Sequence, residues 1–144
     1  MRRTLRFVTA AACLLGFQFG IADDKSAVVP WETLAQVSFS KQKDRYTAEF
    51  SKQVAALDKR EVKLKGFMLP LEQGLAQKRF LLSAQPPDCA FCMPGTAEQF
   101  AEVLAKKPLK YVTDPITVSG TFALVRDDTG GLLYRLTEAV MIEK

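Results

Sequence analysis

The rhythm of apolar and polar positions changes along this chain. After basic residues at Arg2, Arg3 and Arg6, the segment from Phe7 to Phe19 is apolar, broken only by Thr9, Gly16 and Gln18. From Asp44 to Leu57 the apolar residues are Tyr46, Phe50, Val54 and Leu57, a spacing that marks one face of a helix with Asp44 as its N-cap. The period then shortens to two. Glu61 to Pro70 begins with strict alternation, the sign of a half-buried strand, and Gly66 within it predicts a bulge or a bend at a barrel corner. Pro70 ends that ladder, Gln73-Gly74-Leu75 turns the chain, and Lys78 to Ser83 returns as a second strand. Ile116 to Val125 alternates again around Gly120. Asp127 to Gly131 reads as a hairpin turn, and Leu132 to Leu136, extending toward Met141, completes the pair. Between these strand regions lies Thr96-Ala97-Glu98-Gln99, the pattern of a capping box. Phe100, Val103 and Leu104 follow at helical spacing, and Pro108 stops the run.

These elements predict a mainly β fold with one or two short helices: a small OB-like β-barrel preceded by an N-terminal helical segment. The helix after Thr96 would be the one that OB barrels carry between their third and fourth strands. Glycines inside two strands support closure, because small barrels bend sharply at such points. The organisation expected is a signal peptide over 1–22, a leader and anchoring turn over 23–43, and one OB-like domain with its N-terminal helix over 44–144. In the leader, Trp31-Glu32-Thr33-Leu34 with Val37 forms a short turn that lays Trp31 over the core.

The first 22 residues have the three parts of a secretory signal: a basic start, an apolar centre, and Gly20-Ile21-Ala22 before Asp23-Asp24. The apolar run is shorter than the ~20 residues a bilayer span needs. Export is the expectation, with no transmembrane helix left after cleavage. Lipidation at Cys13 is the alternative, but Ala10-Ala11-Ala12 before it is a poor match to a lipoprotein signal. The whole chain has 20 basic and 16 acidic residues; losing 1–22 removes three arginines and leaves 17 against 16. The remaining lysines are interspersed with acids, so nucleic acid is not an expected partner.

Composition narrows the chemistry. The 144 residues include three cysteines and no histidine. This excludes imidazole acid–base catalysis, Ser-His-Asp and Cys-His sites, and metal sites built on histidine. No serine or threonine has a recognisable base to activate it, and Glu72 reads as a turn carboxylate. What remains is Pro86-Pro87-Asp88-Cys89-Ala90-Phe91-Cys92-Met93-Pro94-Gly95, a loop between a strand and the capping box. Its two cysteines, three positions apart, leave three readings open. One is a structural Cys89–Cys92 disulfide, which an oxidising compartment favours. The second is a soft-metal site on Cys89 and Cys92, joined by Asp88, Met93 or Met68, for Zn(II) or Cu(I). The third is thiol–disulfide exchange through a reversible Cys89–Cys92 bond.

Several stretches resemble a bacterial family catalogued as domain of unknown function 3299. They are Phe50 with Val54-Ala55-Ala56-Leu57-Asp58, then Val62, Leu64 and Gly66-Phe67-Met68-Leu69-Pro70-Leu71-Glu72. Next come Phe80-Leu81-Leu82, Cys89 and Cys92 with Pro94, Val118 and Gly120, and Gly131-Leu132-Leu133-Tyr134 with Leu136. The resemblance implies an exported protein or lipoprotein with an OB-like barrel. It also implies an accessory role beside a membrane transporter component or another periplasmic protein, in some settings linked to metal homeostasis. It transfers no catalytic residue. Where family members often carry a polar residue or histidine near the cysteines, this chain has Ala90-Phe91. The expected function is therefore a non-enzymatic binding or accessory protein acting through the Cys-x-x-Cys loop. A thiol–disulfide redox protein and an interaction domain with an inert disulfide are the alternatives.

Overall fold

The computed structural model describes residues 27–42, 45–87, 95–126 and 131–143. Two short helices, α1 (Trp31–Leu34) and α2 (Lys52–Ala55), flank a hairpin of β1 (Val37–Gln42) and β2 (Arg45–Phe50). Five longer strands follow: β3 (Glu61–Pro70), β4 (Ala76–Ser83), β5 (Phe100–Lys110), β6 (Ile116–Leu124) and β7 (Tyr134–Glu143). They close into a barrel in the order β3-β4-β5-β7-β6, with β6 returning to β3 and β5 parallel to β7. This is the Greek-key order of an OB barrel, as expected.

Closure depends on β3 serving two partners. Glu61 to Gly66 pairs with β6, and Phe67 to Pro70 pairs with β4. The change falls at Gly66, where a Cβ would lie 2.4 Å from the carbonyl oxygen of Ser83. No side chain fits there, which is why this corner requires glycine. A second corner lies at Gly120. The β6–β7 register skips between Ser119 and Thr121, and Glu138 opposite takes a left-handed φ of 52°. A Cβ on Gly120 would meet the Thr137 carbonyl oxygen at 2.8 Å. Two residues thus face one, a bulge that increases local twist.

Alternate strand residues fill the interior: Val62, Leu64 and Met68 of β3, Phe80 and Leu82 of β4, Ala101, Val103 and Ala105 of β5, Val118 and Phe122 of β6, and Tyr134 and Leu136 of β7. The end of the barrel where β3 begins is plugged by Leu34 and Val54, both fully buried. Tyr134 fixes this plug. Its hydroxyl donates to the Leu34 carbonyl oxygen at 2.5 Å, and its ring stacks on Phe122 at 5.5 Å and meets Phe50 at 5.9 Å. Trp31 lies over the core, as expected, and its indole Nε1 donates to the Lys65 carbonyl oxygen at 2.7 Å.

Three expectations need correction. The helix expected from Asp44 to Leu57 is instead strand β2 followed by the single turn α2, capped by Ser51, whose Oγ accepts from the Val54 N–H at 3.3 Å. Ala48 and Phe50, with Val37 of β1, pack against the core, so pairing with β1 outweighs the four-residue spacing. The hairpin also crosses the expected boundary at residue 44, and Val28 and Val29 already lie along Lys63 of β3, so part of the leader is docked. The helix expected after Thr96 is only a 3-10 turn at Ala97–Gln99 leading into β5. Pairing on both sides, with β4 and β7, satisfies the backbone of Phe100 to Ala105 better than an isolated helix would. Pro108 falls where the β4–β5 register shifts between Gln77 and Arg79, so it interrupts no ladder bond there. The third and fourth barrel strands, β5 and β6, are consequently joined by residues 111–115 without a helix.

Two substitutions test this frame. Gly66→Ala must displace the Ser83 carbonyl and is expected to lower unfolding free energy by about 1–3 kcal/mol or to prevent folding, read by denaturant titration. Tyr134→Phe leaves the buried Leu34 carbonyl without its donor and is expected to cost about 1–3 kcal/mol by the same measurement.

Candidate functional site

The cysteine loop leaves the barrel between β4 and β5, at the end plugged by α1 and α2. Asp88, Cys89, Cys92 and Met93 lie outside the described residues; the two ends of their loop lie within them. The Ala84 N–H donates to the Gln99 carbonyl oxygen at 3.0 Å and closes a stem. On one side, Ser83 Oγ donates to the Gln85 carbonyl oxygen at 2.7 Å and accepts from the Gln85 N–H at 3.1 Å. On the other, Gln99 Oε1 accepts from the Thr96 N–H at 3.3 Å, the return half of the expected capping box. Gly95 precedes it with φ +101°, and a Cβ there would strike Gln99 Oε1 at 1.9 Å. The loop is thus held at both roots, and α1 lies against its 3-10 turn. Met68, the distant ligand candidate, is 2% exposed in the barrel core, where packing accounts for it. Among the described residues no group of three or more His, Cys, Asp or Glu is gathered to hold a metal.

Sequence reasoning missed a second cluster, centred three residues beyond the stem. Glu102 on β5 has a side chain only 4% exposed and faces outward from the barrel. Arg79 on β4 donates from Nε to Glu102 Oε1 at 2.6 Å, and Arg135 on β7 donates from Nε to Glu102 Oε2. Burial alone would raise the Glu102 pKa, but hydrogen bonds from Arg135 and Arg79 outweigh it and hold the carboxyl below its ordinary 4.5. The signal was present: Glu102 is a lone acid in the apolar run Phe100 to Ala105, and a buried acid demands a cation. Reading the run as a helix hid the strand partners that supply two.

At the opposite end, Glu72 is the turn carboxylate expected. Its Oε2 accepts from the Lys78 N–H at 2.6 Å and the Arg79 N–H at 3.1 Å, which lowers its pKa. Fully buried Gln77 completes the turn by bonding the Glu72 and Gly74 carbonyls. A groove of about 780 Å³ runs between the docked leader and α2, lined by Val28, Pro30, Thr33, Ala56, Leu57 and Arg60 among others. Among the described residues no helix is long and apolar enough to cross a membrane.

The family model described as a protein of unknown function, DUF3299, matches residues 21–141. The chain belongs to the DUF3299 family. A crystal structure of a DUF3299 family protein from Pseudomonas aeruginosa PAO1 is similar, with 28% identity and a TM-score of 0.52 over 67% of this chain and 68% of that one. No protein of curated function matches. The DUF3299 model thus spans both the barrel and the cysteine loop.

The Glu102 cluster sets an acid dependence. A carboxyl whose folded pKa lies below 4.5 contributes stability that is present above pH 4.5 and lost as pH falls through the folded value. Glu102→Gln is expected to cost about 1–3 kcal/mol at pH 7 and to flatten the fall in melting temperature between about pH 5 and 3, measured by calorimetry across that range.

Proposed function

We propose that this DUF3299 protein is an exported, periplasmic, non-enzymatic binding or accessory protein that presents Cys89 and Cys92 to a thiophilic metal, Zn(II) or Cu(I), in support of a membrane transporter component or another periplasmic protein. The observation that carries the reading is the stem: Ala84, Gly95, Thr96 and Gln99 clamp both roots of the cysteine loop to a closed barrel. Cys89 and Cys92 are three positions apart within that loop, and the β4–β5 pairing of the barrel involves neither of them. The signal-like first 22 residues support export. Two thiolates are half of a zinc site, and the remaining ligands fall to Asp88, Met93, water or the partner protein. Met68, packed in the core, is not among them.

Metal content of the exported, reduced protein tests this. About one equivalent of Cu(I) or Zn(II) is expected by mass spectrometry and competition titration, and Cys89→Ser is expected to abolish it. Binding no greater than that of the Cys89→Ser/Cys92→Ser variant would overturn the metal role. A Cys89–Cys92 disulfide with a reduction potential below about −300 mV would also overturn it in favour of a structural bridge, whereas a value well above would assign the pair to thiol exchange.

A further inference from the structure

The Glu102 cluster has more cation than its own carboxylate uses. Glu102 is nearly fully buried, yet its partners are not: the Arg79 and Arg135 side chains are 60% and 38% exposed. Among the described residues each guanidinium donates to Glu102 through its Nε–H, one to each carboxylate oxygen. A guanidinium carries five N–H donors in a rigid fork. The terminal amino groups of both arginines have no hydrogen-bond partner among the described residues. Arg79, Glu102 and Arg135 together carry one net positive charge over a nearly buried acid, and Glu72, which accepts from the Arg79 N–H at 3.1 Å, is the neighbouring anion an added ligand would meet. Glu102 on β5 ties both neighbouring strands, Arg79 from β4 and Arg135 from β7. The shared carboxylate brings the two guanidinium groups side by side, each anchored through its Nε–H.

Its place in the fold supports a ligand role. Arg79 and Glu102 stand on the outer face of β4 and β5, the second and third strands of the barrel, which is the face OB barrels use for ligands. We infer that Arg79 and Arg135, oriented by Glu102, form a binding site for the oxyanion group of a small molecule, a carboxylate or a phosphate, gripped between two guanidinium forks. A long polyanion fits less well, because beyond residue 22 the chain has 17 basic against 16 acidic residues and no basic stripe. This inference is independent of the cysteine loop.

Inorganic phosphate and succinate are the probes, titrated at constant ionic strength against chloride into the full mature protein, with the Nε–H resonances of Arg79 and Arg135 followed by NMR. Both probes or either one is expected to shift the two resonances saturably, while chloride does not. Arg79→Ala removes a mostly exposed side chain and leaves Glu102 paired with Arg135, so the fold is retained. It is expected to weaken binding at least tenfold, and Arg79→Lys to weaken it as well, because an ammonium lacks the fork. The Cys89→Ser/Cys92→Ser variant is expected to bind as the wild type does, which separates this site from the proposed metal loop. Resonances that do not saturate with either probe, or binding unchanged in Arg79→Ala, would reduce the cluster to an internal staple and overturn the inference.

Discussion

Strand β3 pairs with β6 up to Gly66 and with β4 beyond it, and the Ser83 carbonyl occupies the space where a side chain at residue 66 would begin. That close approach turns a sheet into a barrel. If β3 continued along one partner, β4 and β6 would not lie in the same closed sheet. The parallel contact of β5 with β7 and the shared core of Leu64, Phe80, Val118 and Leu136 depend on the same closure. The bulge at Gly120 and Glu138 adds the second bend. Closure then places chemistry. Arg79, Glu102 and Arg135 are far apart in sequence and on three different strands, yet become neighbours because β4, β5 and β7 are adjacent staves.

The plugged end carries the second organising feature. Without a helix between β5 and β6, the plug comes from the opposite direction in the chain, from α1 and α2 before the barrel. Tyr134 ties α1 down through the Leu34 carbonyl while its ring fills the space between Phe50 and Phe122. Burial pushes the phenol's pKa up, so it remains a neutral donor at physiological pH. The turn from α2 into β3 is tied as firmly: the Lys59 N–H donates to the Phe122 carbonyl, and Asp58 accepts from the Leu124 N–H at 3.1 Å. The ends of the cysteine loop, Ala84 and Gln99, lie beside this reinforced end.

Much of this was legible in the residues. Alternation located β3 and β6, the Asp127–Gly131 turn signal pointed to β7 as a hairpin partner, and mid-strand glycine marked both barrel corners, because those signals report strictly local geometry. Phe100 to Leu104 misled because an apolar stretch flanked by a capping box fits either period; what decides it is pairing with β4 and β7, which no local window contains. The same holds for Tyr46 to Phe50, where β1 supplies the missing partner. The capping box itself was read correctly, though it caps a single 3-10 turn. For the site, the cysteine pair was plain in sequence, whereas the arginine pair was hidden because its members meet only after closure. Met68 failed as a ligand candidate for the opposite reason: its position on the inward side of β3 followed from the alternation already recognised.

A barrel closed by its own strand pairing has no need of the cysteines between β4 and β5 to stay folded. Native-state hydrogen exchange on the wild type and the Cys89→Ser/Cys92→Ser variant tests this directly. Amides of Leu64, Val118 and Phe122, deep in the closed sheet, are predicted to keep the same protection in both proteins, with differences confined to residues around the loop stem. A uniform loss of protection through β3, β6 and β7 in the double variant would contradict the account.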